Sequence, residues 1–343
     1  MSSMSKFKKL AGISAFAFAA MTAANSVNAD TWRYAHEEYE GDVQDVFAHD
    51  FKDYVEKNSD HTVQVYRFGE LGESDDIMEQ TLSGILEFVN QSPGFTGSLI
   101  PEAQIFFIPY LMPTNMDTVI EFFRESEAIN KMFPELYAKH GLKLLQMYPE
   151  GEMVVTANEP ITSPSDFNNK KIRVMTNPLL SATYEAFGAT PTPLPWGEVY
   201  GALQTNMIQG QENPIFWIES GGLYEVSPHL TFTSHGWFTT AMMANLDFYN
   251  GLSSEDQKVV QDAADYAFEE IIKHIDGLAD DALAKIKKAC DKCTVTRLDE
   301  EQIDKFQARA PQVKEKYIEM TGESGKELLN QFEEDLKEVQ SDK

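Results

Sequence analysis

The feature that most constrains this chain is an alternation of strand-like and helix-like segments that runs once and then begins again. "TWRYAHE" (31–37) reads as a strand, and from Asp42 to Val55 apolar residues fall at 43, 46, 47, 51, 54 and 55, the spacing of one helical face. "TVQVYRF" (62–68) alternates like a second strand, the turn "GELGES" follows, and Ser74 is the expected N-cap of a helical run. "ILEFVN" (85–90) reads as a third strand. Strand, helix, strand, helix, strand is the pattern of a parallel α/β layer.

Residues 115–140 read as helical, with a break before Pro134, and "LKLLQMY" (142–148) and "EMVVTAN" (152–158) as two strands around a Glu-Gly turn. After about residue 153 the pattern restarts: a short helix at "SPSDF" (163–167), a strand at "KKIRVM" (170–175), and a helix over 178–188 capped by Asn177. "LTFTSHGWFTTAMMAN" (230–245) has strand character and is expected to run back between the two units. Ser253 or Ser254 caps a run with apolar residues at 260, 264, 267, 271, 275, 278, 282 and 286, so one long helix reaching Cys290 is expected. Such a helix is roughly 55 Å long at ~1.5 Å per residue, longer than one small domain, so it should lie across both. Gly277 is its weak point, at about 1 kcal/mol relative to Ala.

The first 29 residues read as a secretory signal peptide. Lys6, Lys8 and Lys9 precede an apolar, Ala-rich run from Leu10 to Ala20, and Val27-Asn28-Ala29 is a small-residue cleavage site. The expected product is soluble and exported, and its remaining length of about 314 residues suggests two domains. Removing three lysines and no acids takes the net charge from -27 to -30. That field repels nucleic acid and anionic membranes and suits a protein bathed in high salt, where it is screened. The two cysteines stand as Cys290-Asp-Lys-Cys293 after a helical pattern, a context that favours a structural or incidental pair over a redox motif.

Catalytic signatures are missing. None of the seven histidines forms an HxxxH or HExxH pair, and there is no GxSxG elbow, Walker loop or GxGxxG. The acids Glu37, Glu38, Glu40 and Asp42 lack the spacing of a calcium loop. No catalytic residue, metal or cofactor is expected.

The stretch Pro191 to Ser220 holds two of the four tryptophans, Trp196 and Trp217. Pro191, Pro193 and Pro195 keep the chain extended up to Trp196. Val199, Tyr200 and Leu203 then repeat at helical spacing, with Asn206 as a left-handed cap. Gly210 gives a further turn, and Asn213-Pro214 opens the element that carries Phe216 and Trp217. The tryptophans therefore stand at the starts of consecutive elements, where they either converge on one cleft or serve as ordinary core.

"PLPWGEVYGALQ", "GQENP" and "KKIRVMTNP" resemble the extracytoplasmic solute-binding proteins of TRAP transporters, and the likeness extends over the whole exported chain. It implies an α/β, two-domain periplasmic-binding-protein fold with hinge strands and a long helix spanning both domains. The expected division is 30–153 with about 240–275, and 154–239 with about 276–343. It also implies closure on a small organic anion and delivery to the small and large membrane permease subunits. Arg173 matches the family's carboxylate clamp, whose planar fork suits two carboxylate oxygens. Asn213 matches a second donor. In place of the family's usual T-G-x-x-D-G turn, this chain has Thr205-Asn206-Met207-Ile208-Gln209-Gly210.

The rest of the expected site follows from charge. A dicarboxylate would want a second cation opposite Arg173, yet "HEEYEG" offers acid, and Glu38 prefers a cationic partner. Trp196, Trp217, Phe95 and Phe238 can supply aromatic faces to that cation. Arginine, glutamate and aromatics together describe a compact zwitterion. "WRYAHEEYEGDVQDVF", "YRFGELGESDDIMEQT" and "NPIFWIESGGLYEVSP" resemble the ectoine-binding branch of the family, which implies ectoine or its hydroxylated form as ligand. The contacts so implied are Glu38, Phe95, Arg173, Trp196, Asn213, Trp217 and Phe238. Glycine betaine, as another zwitterion, and an exported hydrolase are the alternatives.

Overall fold

The structure is a computed structural model and describes residues 30–341. The expected signal peptide lies outside the described residues. Among the described residues nine strands form one mixed sheet: β1 (Thr31–Ala35), β2 (Thr62–Tyr66), β3 (Phe88–Gln91), β4 (Leu142–Ala157), β5 (Lys171–Val174), β6 (Thr190–Pro193), β7 (Gly210–Pro214), β8 (His229–Asn245) and β9 (Thr294–Arg297). Their order is β2-β1-β3-β8-β4-β7-β5-β6, with β9 on β8. β1 pairs in parallel with β2 and β3, and β5 in parallel with β6 and β7. The long strands β4 and β8 run antiparallel between these two wings and join them. The repeated pattern of the sequence is thus two parallel wings, and the 230–245 segment does return between them.

β4 differs from expectation. In place of two strands around a turn, one sixteen-residue strand passes through Pro149-Glu150-Gly151. Its register against β8 shifts between Pro149 and Gly151. A bulge is where a strand tolerates proline, which has no N–H for the ladder. Glu150 therefore sits within a central strand and is buried.

The expected long helix is also divided. Ser253 caps Ser254–Ile275 by accepting from the Asp256 amide, but Gly277 is left-handed at φ 78° and Leu278–Ala289 starts anew. The first segment packs against helix Val43–Asn58 of the first wing, and the second against helix Ile215–Ser220 of the other. The element that is long and touches both halves is the C-terminal Ala310–Ser341, kinked at Gly322. It packs on the 3-10 turn Pro101–Phe107 and helix Met116–Glu125 on one side, and on helix Pro178–Phe187 on the other. Its buried Asp335 accepts from Ser126 Oγ and from the Ala128 amide. The 115–140 segment accordingly breaks at Ser126, and Pro134 sits in the first turn of helix Phe133–Ala138.

Smaller readings hold with small shifts. Asn177 caps helix Pro178–Phe187, and Asn206 is left-handed at φ 58°. Ser74 is the first helical residue, and Glu73 before it forms a capping box with Asp76. Gly210 opens β7. Cys290 and Cys293 form a disulfide between the end of helix Leu278–Ala289 and the start of β9. No helix among the described residues is long and apolar enough to cross a membrane.

Candidate functional site

The acidic side of the site is the loop between β1 and helix Val43–Asn58. The Gln44 amide in the first turn of that helix donates to Glu38 Oε2 at 2.7 Å, the kind of contact a helix N-terminus offers a carboxylate. Gln44 does more: its Nε2 donates to Glu150 Oε1 and to Thr240 Oγ1, both at 3.0 Å, and its Oε1 accepts from the Glu37 amide. Thr240 Oγ1 also donates to Glu150 Oε1 at 2.5 Å. Glu38 and Glu150 are fully buried and within hydrogen-bonding reach of each other. Burial, and then the charge of Glu150, push the Glu38 carboxyl well above its usual range. Burial also raises Glu37 to about 8 and Asp42 to about 7. Glu38 Oε1 and Glu150 Oε2 are buried without a hydrogen-bond partner.

The basic side is Arg173 on β5, 2% exposed. Its Nε donates to Leu194 O at 3.0 Å, and its guanidinium carbon lies 5.8 Å from the centroid of the Trp196 ring. Burial lowers its pKa to about 10, against the attraction of Glu212, Glu37 and Glu73. Glu212, on β7, is held from behind by Tyr184 Oη and His235 Nε2, each at 2.7 Å. The next residue along β7 is Asn213, buried, with its Nδ2 donating to Gln211 Oε1.

The aromatics reach both sides, Trp196 lying under Arg173 and bonding Tyr39 of the acidic loop. The Trp196 and Trp217 rings lie 4.7 Å apart at 41°, and Trp217 meets Phe238 edge-on at 5.3 Å. Trp217 Nε1 is buried without a partner. The structure thus brings Arg173, Trp196, Trp217 and Phe238 into one connected group. Phe95 is buried too, in helix Pro93–Thr96, but among the described residues it makes no ring contact with those aromatics. Its segment is instead tied across the sheet, where Asn177 Nδ2 donates to Pro93 O at 3.2 Å and any side chain at Gly94 would meet Met175 Sδ at 2.2 Å.

Further bonds cross from wing to wing. Trp196 Nε1 donates to Tyr39 Oη at 3.0 Å, and Ser220 Oγ to Asp42 Oδ2 at 2.8 Å. The Gly197 amide donates to Glu73, whose Oε1 would stand 2.5 Å from a Cβ at that position. These contacts tie Trp196 and the helix that carries Trp217 to the loops of the first wing. Sequence reasoning missed Glu150, Gln44, Thr240 and Tyr39. Glu150 was hidden by the apparent turn, and Gln44 by its place on an otherwise apolar helix face.

Neighbouring Ser234 and His235 form no catalytic pair. Ser234 Oγ donates to Glu152 Oε1, and His235 is engaged by Thr233 and Glu212.

Comparison with known proteins is consistent throughout. The family model "Bacterial extracellular solute-binding protein, family 7" matches residues 34–320. The chain is 76% identical to the ectoine-binding periplasmic protein TeaA of Halomonas elongata, over 98% of each chain. It is 56% identical to the ectoine/5-hydroxyectoine-binding periplasmic protein UehA of Ruegeria pomeroyi, over 95% of this chain and 96% of that one. The solved structure of the ectoine-binding protein of the Halomonas elongata TeaABC TRAP transporter superposes with a TM-score of 0.89 at 79% identity, covering 90% of this chain and 99% of that one.

Proposed function

The chain belongs to the bacterial extracellular solute-binding proteins of family 7, and from that premise we propose that it is the periplasmic receptor that captures ectoine, and hydroxyectoine, for a TRAP transporter. It acts by binding and release, not catalysis, and hands the solute to the transporter's membrane subunits.

The observation that carries the ligand reading is a chain of contacts from the buried Arg173 through Trp196 to Tyr39, the residue next to the buried Glu38, with Trp217 packed against Trp196 and Phe238 against Trp217. Arg173 offers a guanidinium that, among the described residues, makes one hydrogen bond, from Nε to Leu194 O. Its planar fork takes the ligand carboxylate, and Asn213 adds a donor. Glu38 offers a carboxylate with one fixed and one unpartnered oxygen. It takes an amidinium N–H of the ring. Trp196, Trp217 and Phe238 supply faces to the delocalised cation, each worth about 0.5–2 kcal/mol. Phe95, which the family resemblance adds as a further contact, is buried in helix Pro93–Thr96. The two lobes that meet on the ligand are 30–153 with about 240–275, and 154–239 with about 276–343. The division is supported by the break at Gly277, which parts the helix packed on one wing from the helix packed on the other.

Calorimetric titration tests this reading. Ectoine binds tightly to the native protein, and Arg173→Ala and Glu38→Ala each weaken it by about 30-fold or more, since unpairing a buried charge costs about 2–5 kcal/mol. Glycine betaine, whose quaternary nitrogen has no N–H for Glu38, binds far more weakly. Strong heat with a C4-dicarboxylate and none with ectoine would reject the ligand while leaving the receptor class.

A further inference from the structure

Glu38 and Glu150 form a pair whose arrangement asks for one positive charge. Each carboxylate has one oxygen fixed: Glu38 Oε2 by the Gln44 amide, and Glu150 Oε1 by Gln44 Nε2 and Thr240 Oγ1. Each has the other oxygen, Glu38 Oε1 and Glu150 Oε2, buried without a donor. One residue, Gln44, holds both, so the spacing of the pair is set by a single side chain and its own backbone. Two buried carboxylates in contact need either a cation or a shared proton between them.

We propose that Glu150 is a ligand-positioning residue that completes the cation end of the site with Glu38, and that the bound solute's cation takes the place of a proton the two carboxylates otherwise share. The inference rests on the ectoine reading above and adds to it a second acceptor and a proton count. The charge balances. A singly protonated pair carries one negative charge; losing the proton to solvent and gaining an amidinium leaves that charge unchanged. An amidinium also has two N–H groups on one delocalised cation, one for each unpartnered oxygen. A quaternary ammonium has none, and a neutral ring brings no charge to replace the proton. Glu150 thereby becomes a determinant of solute choice.

Other ionisable groups face the pair. Glu37 and Asp42 flank it from the same loop, and His36 Nδ1 accepts from the Glu38 amide at 3.3 Å. Tyr148 on β4 lies in the field of Glu150, Glu38 and Glu37, and Arg173 lies in the field of Glu37. The test must therefore locate the proton as well as count it.

The experiment is calorimetric titration of the full protein with ectoine at neutral pH, in two buffers of different ionisation enthalpy, repeated across a pH series. The expected result is release of about one proton per ectoine, with affinity rising as pH rises, by up to about tenfold per pH unit. In Glu150→Gln, which keeps the shape and leaves Glu38 without an anionic neighbour at that position, ectoine still binds but release falls toward zero and the pH dependence flattens. In Glu37→Gln the release persists. Tight binding without proton release by the native protein overturns the proposal, as does undiminished release in Glu150→Gln or its loss in Glu37→Gln. Failure of ectoine to bind the native protein would instead sink the ligand reading itself, and this proposal with it.

Discussion

Single residues in this protein earn their places through contacts that composition alone does not reveal. Trp196 is one case. It reads as a wall of the site, yet its indole N–H also reaches across to Tyr39 Oη. Trp196→Phe keeps an aromatic face and removes that bond, so ectoine affinity should fall about three- to tenfold, the worth of one hydrogen bond at roughly 0.5–1.5 kcal/mol. Trp196→Ala removes the face as well and should cost much more. Equal losses in a binding titration of the two variants would show that the bond to Tyr39, not the ring, is what matters. The residues predicted from sequence were those whose chemistry stands out at one position: an arginine on a strand, tryptophans after prolines, an acid in an acidic run. Glu150, Gln44 and Thr240 come from three separate elements, and each is ordinary alone. Their joint role exists only once β4, β8 and helix Val43–Asn58 are packed, and periodicity carries no record of that contact.

At the level of elements, the apolar patterns were legible wherever one face decides the structure. The wing strands and the amphipathic helix Val43–Asn58 fall within a few residues of their expected bounds. The errors arose where one glycine or proline was weighed wrongly. Gly151 looked like a turn, but it lies in a bulged strand whose neighbours on both sides outvote local preference. Gly277 looked like a tolerable flaw in a continuous helix, but it is left-handed and divides the helix. Nothing lies within 4 Å of a Cβ added there. Gly277→Ala should therefore act through backbone strain alone and cost about 1–2 kcal/mol. A thermal melt should show Tm falling by a few degrees. An unchanged or raised Tm would mean that this junction readily adopts a continuous helix.

The whole molecule carries a net charge of -27 over the full sequence, and -30 once the three lysines before residue 30 are set aside. Its exposed ion pairs, such as Lys258–Asp262 and Lys305–Glu301, neutralise little of this. Self-repulsion among the remaining acids should be relieved as the screening length shrinks from about 10 Å at 0.1 M salt to about 3 Å at 1 M. Tm should rise steadily with sodium chloride over that range. Ectoine affinity should change far less, because the ligand has no net charge and both charged poles of the site are buried. A melt series and a binding series in the same salt steps would separate the two. A steep fall in affinity would mean that the site is more open to ions than its burial implies.

The strand order has a further consequence for the chain as it emerges. β3 and β4 meet only through β8, which is made after β5, β6 and β7. Neither wing can complete its hydrogen-bond ladder until residues 229–245 exist, so the order of synthesis and the order of assembly cannot coincide. The plank at the centre of the sheet is laid after seven others, and a nascent chain stopped short of it has two unfinished edges rather than one finished half.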